Sequence, residues 1–227
     1  MGASRTSWTI NLHDQALMGE ATDSVDEFND WIRKRGGIDV DVSFMKLVVL
    51  GQRQGGVTIT GMRAVFEEES PPLRGALFYA PPESERQNSS IGFNLDEQEP
   101  VARLVDPNKN FGDSGYLGPP YFRGHNITID DGQSHVFSIA AITADRYYAW
   151  YIEMELVADG RTQSVRIGLT PDEEKGQEQD PFKITAQMAL GDGKKGRFSA
   201  YQELYILNRD DPAGFIGVNP QSFRRVT

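Results

Sequence analysis

The chain has 227 residues, enough for one large domain or for one domain with an added arm. Its 33 acidic and 23 basic side chains give a net charge of −10, which repels a phosphate backbone, so we expect no nucleic-acid partner. The absence of cysteine excludes disulfides, thiolate nucleophiles and cysteine-based metal sites, but it leaves the compartment open.

Residues 23–37 carry the strongest helix signal. Ser24 followed by Glu27 forms a capping box, and Gly36 can adopt the left-handed conformation that ends a helix. One apolar stripe recurs at helical spacing and consists of Val25, Phe28 and Ile32. We predict an amphipathic helix within an N-terminal arm, residues 1–40, that packs on the main domain. Docking of this helix onto a partner is the alternative.

Beyond residue 40 the hydrophobic pattern changes to a period of two, which is typical of β-strands. The predicted strands cover 42–50, 57–66, 74–80, 91–95, 101–105, 126–129, 135–143, 148–157, 163–167, 182–190 and 198–207. Short strands that do not alternate with helices predict an all-β domain over residues 41–227. We expect an antiparallel two-sheet β-sandwich of Ig-like or jelly-roll type, with a barrel as the alternative.

Turn residues separate many of the predicted strands. Hairpins are predicted at Asp130-Asp131-Gly132, Asp159-Gly160 and Asp192-Gly193, because these residues tolerate a positive φ. The glycine-rich segment 51–56 lacks a following Lys-Ser/Thr, so it is predicted to be a hairpin loop and not a phosphate-binding loop. Segments 67–72, 81–90 and 170–181 are acidic or rich in Pro and Ser, and they are predicted to be loops.

One loop alternates side chains that carry oxygen atoms, namely Asp106, Asn108, Asn110 and Asp113. Calcium prefers six to eight oxygen ligands, so these four residues are a candidate calcium site. An EF-hand needs glycine and glutamate where this chain has Phe111 and Leu117. The alternative is an Asx-turn loop, in which Asp and Asn side chains bond to nearby backbone groups. No other cofactor is predicted.

Two patterns are typical of catalytic sites. Gly112-Asp113-Ser114-Gly115 resembles the nucleophile region of chymotrypsin-like proteases, but Ser114 lies in the middle of the chain. Glu153 and Glu155 project from one strand face roughly 7 Å apart, as a glycosidase pair or an ordinary solvated strand would place them. The histidines show no metal-ligand spacing and lie at His13, His125 and His135. We therefore name no catalytic residue and expect a protein that is not an enzyme.

An aromatic stretch is the best candidate for a ligand-contact surface. Tyr116, Tyr121 and Phe122 are separated by glycine and proline, which stiffen a loop. Tyrosine offers a large contact area at a small entropic cost. We predict that these three residues contact a ligand, and the alternative is that the loop folds onto the sheet.

Four short motifs carry a family resemblance: Val-Thr-Ile-Thr-Gly-Met-Arg-Ala at 57–64, Leu-Phe-Tyr-Ala-Pro-Pro at 77–82, Tyr-Phe-Arg-Gly-His at 121–125 and Pro-Phe-Lys-Ile-Thr at 181–185. With them, most of the chain resembles the extracytoplasmic part of uncharacterised actinobacterial proteins. Those proteins carry one N-terminal membrane helix ahead of a β-rich domain. The resemblance implies an extracytoplasmic location with the anchor outside this chain, and it implies no catalytic residues. A cytoplasmic location is the alternative.

Three functions follow from these observations. We expect a non-catalytic binding or adaptor module whose loops contact a protein or glycan partner, with the membrane reached only through the anchor. A secreted hydrolase or a carbohydrate-binding module is the first alternative, and a deep cleft with converging carboxylates would favour the hydrolase. An intracellular assembly component that docks through the amphipathic helix is the second.

Overall fold

The computed structural model of the chain describes residues 8–10, 31–79, 89–109, 112–169, 179–187, 198–208 and 214–223. These residues form strands in two sheets, which confirms the prediction of an all-β protein. Residues 31–34 are helical, and a 3₁₀ turn spans Tyr121–Arg123. The strands are β1 (Trp8–Ile10), β2 (Ile38–Val40), β3 (Val42–Leu50), β4 (Val57–Ser70), β5 (Ala76–Tyr79), β6 (Ile91–Asn94), β7 (Arg103–Val105), β8 (Leu117–Pro120), β9 (Ile127–Ile129), β10 (Ser134–Ile142), β11 (Tyr147–Ala158), β12 (Arg161–Ile167), β13 (Phe182–Thr185), β14 (Glu203–Leu207) and β15 (Phe215–Val218).

The larger sheet has the strand order β15-β14-β5-β1-β2-β13-β11-β4-β9, and β12 also pairs with β11. Strand β4 runs antiparallel to β11 along most of its length. This pairing includes Glu68 and Glu69, which lie opposite Ala149 and Tyr148. The prediction of a loop at 67–72 is therefore wrong up to residue 70. A long partner strand supplies ladder hydrogen bonds that offset the low β-propensity of glutamate.

The smaller sheet has the strand order β3-β10-β6-β7-β8. Strand β6 runs parallel to β10, and two pairings of the larger sheet, β2 with β13 and β5 with β14, are also parallel. The prediction of antiparallel sheets is therefore wrong for these three pairings. A period of two shows which side chains share a face, but it carries no information about the direction of the neighbouring strand.

One apolar core takes side chains from both sheets. Trp150 of β11 is fully buried at its centre, with ring centroids 5.7 Å from Phe93 of the smaller sheet and 5.2 Å from Phe182 of the larger one. Other buried members of this core are Ile59, Met62, Ile91, Phe137, Ile139, Ile152, Met154 and Ile184. Their alternation along each strand puts one face of each sheet into the shared core.

The N-terminal arm is built into the larger sheet through β1 and β2, and a short helix end packs beside them. Gly36 ends this helix with a φ of 79°, and the N–H of Gly37 donates to the carbonyl oxygen of Ile32 at 2.8 Å. Ile32 is fully buried against Ala76 and Phe78. The predicted cap is therefore present, while residues 23–30 of the predicted helix lie outside the described residues. In the described ranges, no helix is long and apolar enough to cross a membrane.

A two-stranded ribbon passes from one sheet to the other at a corner. Strand β3 pairs with β10 in the smaller sheet, and their neighbours in sequence, β4 and β9, pair in the larger sheet. The connecting segments lie side by side: the N–H of Gly51 donates to Gln133 O at 2.8 Å, and that of Gly132 donates to Gly51 O at 2.9 Å. Hairpins predicted at 51–56 and 130–132 are therefore wrong, because each segment joins strands of different sheets.

Of the two remaining predicted hairpins, one is present and the other lies outside the described residues. Asp159 and Gly160 have φ values of 50° and 69° and join β11 to β12 in a tight hairpin, as predicted. Asp192-Gly193 lies outside the described residues, as do most of the predicted loops at 81–90 and 170–181.

Replacement of Gly51 tests the close approach at the corner. A Cβ at this position would overlap the carbonyl oxygen of Asp130. We expect Gly51→Ala to lower the free energy of unfolding by about 1–3 kcal/mol, because backbone atoms must shift to make room. Urea denaturation measures this change. Gly124→Ala is the control, since a Cβ there meets nothing within 4 Å, and equal stabilities of the two variants would contradict the packing.

Candidate functional site

The loop that carries the calcium prediction is held by its own hydrogen bonds. Asp106 Oδ1 accepts from the backbone N–H of Asn108 at 2.9 Å, which forms an Asx turn. Lys109 Nζ donates to the carbonyl oxygen of Ser114 at 2.5 Å, so a positive charge already lies in the loop. The backbone of Asp113 accepts from the N–H of Tyr116 at 3.1 Å, while Asn110 lies outside the described residues. The alternative interpretation, an Asx-turn loop, is therefore present, and calcium binding stays a prediction.

The predicted catalytic patterns are not brought together in the described residues. No hydrogen bond there links Ser114 to a histidine. His125 Nδ1 lies 3.1 Å from the carbonyl oxygen of Tyr121, and the His135 ring lies 4.5 Å from the ring of Phe137. His13 lies outside the described residues.

Glu153 takes part in a cross-strand ion pair on the larger sheet. Arg63 lies directly opposite it on β4 and donates to Glu153 Oε1 from Nε at 2.9 Å and from Nη2 at 2.5 Å. Hydrogen bonding to Glu153 and its negative charge raise the pKa of Arg63 above its ordinary value. Glu155 lies over Gly61, two pairs further along the ladder. The two glutamate side chains thus project from an ordinary strand face.

The aromatic stretch forms a strand and a 3₁₀ turn, where the sequence predicts a stiff loop. Tyr116 is buried, and this burial raises its pKa above the ordinary tyrosine value. Tyr121 and Phe122 are half-buried against the shared core, with their rings 4.9 Å apart, and the ring of His125 stacks on Tyr121 at 5.5 Å. The structure therefore leaves Tyr116 little surface for a ligand, and ligand contact by Tyr121 and Phe122 stays a prediction.

A buried carboxyl group at Asp39 has no counterpart in the sequence analysis. Asp39 is 6% exposed, and Ser43 Oγ donates to its Oδ2 at 2.5 Å. Its Oδ1 has no hydrogen-bond partner in the described part of the chain. Burial raises the pKa of Asp39 from 3.8 to about 6, against the opposing effects of Ser43 and the charge of Arg33. The alternation of Asp39 with apolar neighbours resembles a solvated strand face, so the sequence holds no signal for this burial.

Exposed apolar side chains gather on the smaller sheet, on the face turned away from the shared core. Val48 and Leu50 of β3 are 57% and 54% exposed. Val136 of β10 is 43% exposed and lies directly opposite Val48. We call these three residues the outer patch. Its signal in the sequence is the unbroken apolar run 47–50, since a strand apolar at every position must turn some of these side chains away from the core.

The smaller sheet also differs from the rest of the protein in charge. None of its five strands contains an aspartate or a glutamate, although the whole chain carries 33 of them. Arg103 of β7 is ion-paired with Glu97 at 2.9 Å. Lys46 is exposed on β3, next to Val48 on the outer face, and no ion pair to it is found among the described residues. The outer face is thus apolar and weakly cationic in a protein of net charge −10.

Comparisons with known proteins assign no function to these residues. Neither the protein-family models, nor the curated proteins, nor the solved structures gave a match to this chain. Function must therefore be inferred from the residues and from the geometry of the chain itself.

The raised pKa of Asp39 predicts how stability varies with pH. Between about pH 4 and pH 6 the folded protein keeps the Asp39 proton, while the unfolded chain has lost it. This contribution to stability is therefore full at low pH and is lost as the pH rises through about 6. Since one pKa unit corresponds to about 1.4 kcal/mol, we expect a loss on the order of 3 kcal/mol over this range.

Asp39→Asn removes this titration, so the unfolding free energy of the variant should rise relative to that of wild type by on the order of 3 kcal/mol from pH 4 to pH 7. Urea denaturation at a series of pH values measures this difference. Asp145→Asn is the control, because it changes an exposed carboxylate. Its curve of unfolding free energy against pH should run parallel to that of wild type. A parallel curve for Asp39→Asn would contradict the assignment.

Proposed function

We propose that this protein is a non-catalytic binding or adaptor module that acts outside the cytoplasm and contacts a partner protein through the outer patch. The finer architecture belongs to the same proposal: the two sheets form a β-sandwich, which is supported by the core that they share around Trp150. The location is supported by the resemblance to extracytoplasmic actinobacterial proteins, which would place a membrane anchor outside this chain.

The observation that carries the proposal is the solvent exposure of Val48, Leu50 and Val136 side by side. Single exposed apolar residues are common on protein surfaces, but a contiguous group is typical of a contact surface. Burial against a partner would contribute about 1–2 kcal/mol for each of these half-exposed side chains. A few such residues at the centre of an interface can supply much of its binding energy.

The chemistry of the outer patch favours a protein over a glycan. The hydroxyl groups of a glycan need hydrogen-bond partners when they leave water. Valine and leucine side chains have no such groups, whereas they pack well against the apolar side chains of another protein. The patch therefore fits a protein partner.

The contacts of the candidate catalytic residues agree with a binding role. Glu153 is held by Arg63, and the backbone of Ser114 is held by Lys109. A general acid or a nucleophile needs a partner that prepares it for proton transfer or attack. Arg63 instead pairs the Glu153 carboxylate within its own strand face, while Lys109 contacts the backbone carbonyl oxygen of Ser114 and not its hydroxyl group.

Site-specific crosslinking tests the contact surface. The photoreactive residue p-benzoylphenylalanine would replace Val48 or Val136 in the protein produced in actinobacterial cells. We expect irradiation to give adducts with a macromolecule, because both positions would lie inside the interface. Immunoblots and intact-mass measurements would report the yield and the size of the adducts.

Val165 and Ile216 are matched control positions, because both are exposed apolar residues on strands of the larger sheet. Their adduct yields should be several-fold lower than those from the outer patch. Equal yields at all four positions, or no adduct from Val48 and Val136, would contradict the proposed surface.

A further inference from the structure

Strand β3 forms one edge of the smaller sheet. It pairs with β10 over all nine of its residues without a register shift, and no described strand pairs with its other edge. The strand contains no proline and no acidic residue. Edge strands of soluble proteins are commonly protected by proline, bulges, short length or several charges, and β3 has Lys46 as its one charge.

Hydrogen bonds at both ends of the β3–β10 ladder show which backbone groups face the open edge. The carbonyl oxygen of Asp41 accepts from the N–H of Thr143 at 3.1 Å, and the N–H of Gly51 donates to Gln133 O at 2.8 Å. Bonded and non-bonded pairs alternate along an antiparallel ladder, and the register between these ends is continuous. Odd-numbered residues of β3 therefore bond to β10, while the N–H and C=O groups of Phe44, Lys46 and Val48 point to the open edge.

The inward side chains of β3 are covered less well than those of its neighbour. Met45, Leu47 and Val49 contact the shared core but remain partly exposed. On β10, the inward residues Phe137 and Ile139 are buried. The difference arises because β10 has a strand on each side, whereas β3 has one on a single side. A further strand beside β3 would cover these side chains.

The charge of Lys46 indicates which side chains such a strand would carry. Lys46 lies on the outer face between Phe44 and Val48, two residues away on either side. A strand whose residues bond to the open edge would place one side chain directly opposite each of these three. An acidic side chain opposite Lys46 and apolar side chains opposite Phe44 and Val48 would complement this row, since opposite charges stabilise a cross-strand pair and like charges destabilise it.

We propose that β3 binds an extended segment of a partner protein as an antiparallel sixth strand of the smaller sheet. The segment carries an acidic side chain opposite Lys46 and apolar side chains two residues before and after it. Main-chain hydrogen bonds provide affinity, and the alternate side chains provide specificity. This inference rests on the proposed function and names the chemistry of its partner. A second copy of the chain is the less favoured occupant, since two molecules of charge −10 repel each other.

Designed peptides test the proposal with a defined probe. The first is an acetylated, amidated and fluorescently labelled nonapeptide, Val-Thr-Val-Thr-Glu-Thr-Val-Thr-Val, and the second carries Lys in place of Glu. Binding is followed by fluorescence anisotropy. Wild-type protein should bind the Glu peptide about fivefold or more tightly than the Lys peptide, because only the Glu peptide complements Lys46.

Reversing the charge at residue 46 distinguishes the proposed pairing from an effect of the protein's net charge. Lys46→Glu should reverse the preference, so that the Lys peptide binds better than the Glu peptide. Lys183→Glu is the matched control, because it changes the net charge equally on an exposed position of β13 in the larger sheet. Its preference should stay that of wild type. A shift of equal size in both variants would overturn the proposed pairing.

Backbone methylation tests the strand geometry. An N-methyl group on the central Glu removes the N–H that bonds to Lys46, and binding should weaken by about fivefold to tenfold. The N–H of the neighbouring Thr points away from β3, so its methylation should change binding by less than about twofold. Equal effects at both positions would overturn the proposed alignment.

Three further outcomes distinguish a failure of this inference from a failure of the proposed function. Sedimentation velocity of the protein alone would reveal a dimer; a dimer that Val48→Lys dissociates would show a second copy on β3 and overturn the partner segment. Crosslinked adducts from the outer patch without peptide discrimination would overturn this inference and leave the proposed function standing. Peptide discrimination without any adducts would instead overturn the proposed function.

Discussion

Two neighbouring stretches of chain cross from the smaller sheet to the larger sheet at the same corner, and backbone hydrogen bonds of Gly51 join them there. Because β3 pairs with β10 before the corner and β4 pairs with β9 beyond it, the crossing holds the two sheets together. Strand β4 then pairs with β11, which in turn carries β12 and β13. The shared core around Trp150 lies between strands that this corner positions.

Beside this corner, β3 lies at an edge of the smaller sheet. Its chain continues directly into the larger sheet, and its partner β10 does the same in the opposite direction through β9. On the side of β10, the smaller sheet continues with β6. On the other side, no described strand pairs with β3. The apolar row on the outer face, the open backbone groups and the lone positive charge at Lys46 all lie on this one strand or beside it.

Several residues that resemble functional groups in the sequence have structural partners. Asp106 bonds to the backbone of its own loop, and Glu153 is held by a cross-strand arginine. The buried carboxyl of Asp39, which no motif marks, lies where the helix end, β2 and the start of β3 meet. Residue type and spacing suggest chemistry, but neighbours from distant parts of the chain decide which carboxylates are solvated, paired or buried.

The sequence by itself determined the all-β character, most of the strand positions, the left-handed cap at Gly36 and the hairpin at Asp159-Gly160. These features depend on side-chain alternation and on local backbone preferences, which nearby residues settle. The tertiary structure alone decided that three pairings are parallel and that two expected hairpins are crossings between sheets. It also decided that Tyr116 is buried while Val48 and Leu50 are exposed. The physical reason is that pairing direction, sheet membership and burial depend on contacts between residues far apart in the chain, which a local pattern does not record.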